Sequence, residues 1–250
     1  MATRKGELCG HPGKSGLARR WPWPSVAGVT DDLCLILETS TRCGSAALAD
    51  EATGQVIDER RFESERNHNA RMFGPLEELL AGGICGRITR VLAGSGPGSY
   101  SGTRVGIAVA QGIAIALGCP AVTLPSLIAV DDPGAVSLAI GDARRGHWWW
   151  ARIRGRRMEA PAPEMGDADA LRMAVETAVG ERRCVFTFEE PRAFGLDFEI
   201  RRKLPQASGL WQAWREASHE QRRTWAAAPP QPCYLKPPHI TAPKRPWLTG

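Results

Sequence analysis

No two of the five histidines, at positions 11, 68, 147, 219 and 239, form a His-x-x-x-His pair. That absence weighs against a zinc or iron hydrolase, whose metal needs clustered ligands. The seven cysteines include no Cys-x-x-Cys spacing. An odd count without short pairings fits reduced thiols in a cytoplasmic setting better than an oxidised framework. No Gly-x-Ser-x-Gly elbow stands with a convincing histidine and acid, so serine hydrolysis lacks support. The chain also lacks a run of about 18 apolar residues of the kind that spans a membrane, and its first 32 residues lack the apolar centre of a secretory signal. No cofactor, no metal and no membrane association are expected.

A chain of 250 residues is long enough to bury one sizeable core, or two small lobes, without staples. Its net charge of +5 is unevenly spread. Arg4, Lys5, Lys14, Arg19 and Arg20 face Glu7 alone in the first thirty residues, which carry +4 and leave +1 for the rest. A free-standing RNA binder would carry a broad basic face on its folded body, and this composition gives no sign of one. Residues 1–31, rich in Gly, Pro and basic side chains, read as a disordered basic tail or as sequence upstream of the true start.

Order is expected from Leu33, where LCLILETSTRCGSAALAD gives a buried run, a Thr/Ser turn and a second strand ending near Asp50. A third strand over 56–62 completes a meander. Residues 67–81 place Met72, Phe73, Leu76, Leu79 and Leu80 on one helical stripe, with Gly74-Pro75 as a kink. ITRVLAG is an inner strand feeding GSGPGSYSGTRVGIAVAQGIAIALG. The helix expected over 102–117, with Ser101 near its start as a cap, is apolar all round. Ala108, Gly112 and Ala116 recur every four residues along it, a row of small side chains that admits a second helix at close range. Burial in the chain's own core and burial against a partner both remain open. Strands follow at AVTL and VSLAI, and GDARRGHWWWARI reads as a hairpin turning at Arg144-Arg145-Gly146. Alternation puts Trp148 and Trp150 on one face and Trp149 on the other, so at least one is expected to be exposed or partner-covered. Helices are expected over 168–179 and 211–225, and PQPCYLKPP as a short edge segment fenced by prolines.

Two turns invite a phosphate reading. A P-loop ending at Gly102 would need glycine at 97, lysine at 103 and a hydroxyl at 104, where Pro97, Thr103 and Arg104 stand. G-x-G-x-x-G fails at Ser99 and Ser101. The turn Glu38 to Thr41 offers a carboxylate and the hydroxyls of Thr39, Ser40 and Thr41, a weak candidate for nucleotide phosphates and equally a hairpin cap.

Taken in order, LILETSTRCGSAAL, RNHNARMFGPLEELL, GSGPGSYSGTRVGIAVAQGIAIALG, SLIAV, DARRGHWWWARI and the closing CYLK resemble the TsaB (YeaZ) family. Glu38 stands where that family usually has aspartate, Ser101 where threonine is commoner and Gly74 where a large apolar residue is usual. The resemblance covers 33–153 well and does not extend to the tail or to 155–230. It implies an α/β, actin-like (heat-shock-chaperone-like, ASKHA) ATPase fold of two lobes with a reduced second lobe, here 32–130 and 131–250. It also implies a catalytically inactive cytoplasmic subunit that pairs with TsaD, the subunit that transfers threonylcarbamoyl to the tRNA adenosine beside the anticodon. A TsaE-like ATPase would join, and tRNA would be met only within the complex; a homodimer of the chain alone, storing the apolar helix surface, is a further reading. Met72, Phe73, Leu76, Arg104, Ala108, Gly112 and Ala116 would then form the partner surface. The rival reading is an independent enzyme, an ASKHA-type phosphotransferase or a glycoprotease.

Overall fold

In a computed structural model describing residues 32–63, 68–131 and 136–235, all six residues of the first strand are buried. A strand covered on both faces belongs at the middle of a sheet. The chain runs β1 (Leu33–Glu38), β2 (Cys43–Asp50), β3 (Val56–Glu63), α1 (His68–Leu80), β4 (Ile88–Gly94), α2 (Tyr100–Leu117) and β5 (Ala121–Leu124). It continues through β6 (Val136–Arg144), β7 (His147–Arg154), β8 (Arg157–Met158), β9 (Glu164–Gly166), α3 (Ala168–Gly180), β10 (Cys184–Thr187), β11 (Ile200–Arg202), α4 (Ala207–Glu216) and α5 (His219–Ala227). The tail read from 1–31 lies outside the described residues.

Two sheets share one plan. The first has the order β3-β2-β1-β4-β5, the second β11-β10-β6-β7-β8. In each, a central strand, β1 or β6, continues an antiparallel meander on one side and a parallel pair on the other. Parallel neighbours need a crossover; α2 supplies it between β4 and β5, and α3 precedes β10.

Alternation along β1 decides which helix covers which face. Leu35 and Leu37 pack with Leu76 and Leu79 of α1 and Ile107, Ala110 and Ala114 of α2. Cys34 and Ile36 point the other way, against Leu210, Trp211 and Trp214 of α4. Helix α4 therefore lies under the first sheet although it follows the second in the chain. On the second sheet, Leu138, Ile140 and Trp150 pack on Leu171 and Val175 of α3, while Ala139, Trp149, Ala151 and Ile153 meet Leu127 and Val130. Arg156 fastens the two halves, donating from one guanidinium nitrogen to the carbonyls of Ile128 and Val130, each at 3.0 Å.

Several expectations need correction. Ser99, not Ser101, caps α2: its hydroxyl accepts from the Gly102 amide at 3.2 Å. The helix expected over 211–225 is two helices, because Ala217 is extended and the Ser218 hydroxyl caps a new start by accepting from Gln221 at 3.2 Å. None of the three tryptophans is exposed. Trp149 and Trp150 are buried, and Trp148 is half-buried against Phe194 with ring centroids 5.1 Å apart, because both faces of the second sheet are covered. The described part of PQPCYLKPP forms no strand; the Cys233 amide donates to the Ser95 carbonyl at 2.7 Å.

Candidate partner-docking surface

The two turns that invited a phosphate reading are bonded to each other. The Ser99 amide donates to the Ser40 carbonyl at 2.6 Å, and the Thr39 hydroxyl donates to the Gly102 carbonyl at 2.8 Å. A Cβ at Gly98 would stand 2.2 Å from the Ser40 oxygen, and one at Gly106 2.1 Å from Thr39 Oγ1. Glycine at these positions lets the loop before α2 settle on the turn after β1. Thr39, Ser40 and Thr41 are buried, and the Thr41 hydroxyl donates to the Cys43 carbonyl at 2.9 Å. Ser40 Oγ has no partner among the described residues. Glu38 is fully buried; its Oε1 accepts the Ser40 amide at 2.7 Å, and burial pushes its carboxyl up from the ordinary value, with the bond from the Ser40 amide pulling the other way. Among the described residues no group of His, Cys, Asp and Glu is arranged to hold a metal, and no helix is long and apolar enough to cross a membrane.

Packing against the sheet uses only one side of α2. Gly102, Thr103, Gly106, Ile107, Ala110 and Ala114 are buried. Arg104, Ala108, Gly112, Ile115 and Ala116 are exposed, Ile115 to 82%. A Cβ at Gly112 would meet nothing within 4 Å. The helix that looked apolar on every side thus presents a strip of small side chains with Ile115 projecting from it. On α1, Met72 and Leu76 turn inward and are buried, so they are not surface residues; their 3.6-residue phase is that of the sheet-facing stripe. Phe73 remains 46% exposed. Sequence reasoning missed Ile115, although its spacing from Ala108 and Gly112 puts it on the same face. It also missed Tyr100 and Tyr234, which flank Arg104 with ring centroids 4.4 and 5.8 Å from the guanidinium carbon.

Comparison with known proteins agrees with this fold. A family model described as TsaD, tRNA N6-adenosine threonylcarbamoyltransferase, matches residues 60–190, just over half of the chain. The chain is 34% identical over 98 residues to the tRNA threonylcarbamoyladenosine biosynthesis protein TsaB of Haemophilus influenzae, covering 38% of this chain and 40% of that protein. It is 32% identical over 129 residues to the Escherichia coli protein of the same name, covering 48% and 54%. It spans about half the length of the curated relatives it matches. The solved structure of YeaZ from Pseudomonas aeruginosa superposes with a TM-score of 0.61 at 23% identity, over 82% of this chain and all of the other, a likeness of fold. These matches define a two-sheet α/β protein of the broad group that the family model describes. Within that group the chain belongs to the TsaB (YeaZ) family.

Proposed function

We propose that this chain is a non-catalytic subunit that binds and activates a TsaD-like threonylcarbamoyltransferase in the biosynthesis of tRNA threonylcarbamoyladenosine. Its fold is the actin-like, ASKHA type, a reading supported by the same strand order and directions in both sheets. The lobes divide as 32–130 and 131–250, with α4 returning under the first sheet. The observation that carries the function is the outer face of α2, with Ala108, Gly112, Ile115 and Ala116 exposed on a helix that has one charge in eighteen residues. An apolar helix face of this kind marks an interaction site. Its small side chains suit close approach by a partner helix, and the exposed Phe73 of α1 is a further apolar candidate for the contact. A TsaE-like ATPase joins the assembly, tRNA is met only within it, and the same face pairs two copies when the partner is absent. The bonded turns favour this over a phosphotransferase, since the hydroxyls of Thr39 and Thr41 are spent inside the protein.

Gly112→Leu tests the reading. Nothing surrounds this position in the free chain, and leucine is a better helix former than glycine, so the melting temperature should hold or rise. Binding to the cognate TsaD-like subunit, measured by titration calorimetry, should weaken about tenfold or more because the side chain lies where two backbones meet. Undiminished affinity would remove α2 from the interface.

A further inference from the structure

Arg104 is the one charged side chain of α2, and its partners among the described residues are two tyrosines rather than a carboxylate. Its guanidinium lies over Tyr100 and donates from Nη2 to the Tyr234 hydroxyl at 3.1 Å. The rings stay 64% and 50% exposed. Tyr234 comes from the far end of the chain. Its segment is held by the bond from the Cys233 amide to Ser95, ahead of α2, by Gln111 Nε2 in the second half of α2 donating to the Pro230 carbonyl at 3.5 Å, and by Leu235, which packs against the core of the second sheet.

We propose that Arg104, Tyr100 and Tyr234 form the polar anchor of the docking face and receive an aspartate or glutamate of the partner subunit, so that residues 230–235 belong to the interface. This deepens the docking assignment made above and depends on it. Two ring faces and one hydrogen bond hold the guanidinium in place before the partner arrives, which lowers the ordering cost of binding. The remaining N–H groups keep the planar fork that matches a carboxylate. Arginine and tyrosine are the residue types that dominate binding energy at protein interfaces. The one cation of α2, set beside the apolar strip of the same helix, fits a protein carboxylate; an RNA backbone calls for several cations along its track.

The test compares wild type, Arg104→Glu, Arg104→Lys, Tyr234→Ala, Tyr234→Phe and Gly112→Leu, all in the full chain, by titration calorimetry with the cognate TsaD-like subunit at low and high salt. Arg104→Glu should weaken binding about 30-fold or more and flatten its salt dependence. Tyr234→Ala should weaken it about tenfold, with Tyr234→Phe close to wild type and Arg104→Lys intermediate. Circular dichroism melts should be unchanged, since all three side chains are exposed. If Arg104→Glu and Tyr234→Ala bind within about threefold of wild type while Gly112→Leu has lost affinity, the anchor is wrong and the docking face stands. If Gly112→Leu also binds normally, both fall. Binding of tRNA by the isolated chain that Arg104→Glu abolishes would overturn the anchor in favour of a phosphate site.

Discussion

The Glu38 carboxyl fills the space that a side chain at residue 94 would occupy: a Cβ on Gly94 would lie 2.0 Å from Glu38 Oε2 and 2.6 Å from Ser126 Oγ. Three segments meet there. The end of β1 supplies the carboxyl, the end of β4 the bare backbone, and Ser126 a hydroxyl that also accepts the Gly96 amide at 3.0 Å. Alanine at residue 94 must displace a fully buried group with no room to move. Gly94→Ala should therefore cost about 1–3 kcal/mol, read as a fall in melting temperature, and an unchanged melt would show that the carboxyl yields freely.

Glu38 also makes stability depend on pH. Burial is the largest influence on its carboxyl, so the neutral form is favoured and the folded-state pKa rises above the ordinary 4.5. Below that value both folded and unfolded chains hold the proton, and the stabilising contribution is complete. As pH rises through the higher folded value, the folded state holds more protons than the unfolded one and the contribution is lost. Glu38→Gln keeps the shape and cannot ionise. The melting temperature of the variant relative to wild type should therefore improve between pH 5 and pH 8, whereas a constant difference would mean that Glu38 does not titrate in that window.

What the sequence made legible follows from the range of each interaction. β1 and its helical cover were readable because alternation and the 3.6-residue stripe are local, and the spacing of Ala108, Gly112 and Ala116 announced a strip that the structure leaves open. The break inside 211–225 was missed because Trp211, Trp214 and Trp225 dominate the pattern, although Ser218 is a good cap residue. The return of α4 beneath β1 was not readable from periodicity, since Leu210 meets Ile36 across most of the chain. Tyr234 was hidden for the same reason. It reaches Arg104 through a hydrogen bond spanning 130 residues.

Thr39 separates a structural turn from a phosphate site. Its hydroxyl donates to Gly102, its neighbours Ser40 and Ser99 join the same two turns, and Gly106 packs against its side chain. Thr39→Val preserves the volume and removes the hydrogen bond, so it should cost about 1 kcal/mol and lower the melting temperature. A bound nucleotide would raise the melting temperature of wild type with the logarithm of its concentration, by about 2.7 kcal/mol in stability at a hundred times its dissociation constant. With both turns spent on each other, ATP and magnesium should leave the melts of wild type and Thr39→Val equally unmoved. A rise for wild type that Thr39→Val abolishes would return the turn after β1 to the nucleotide, and with it the case for an enzyme.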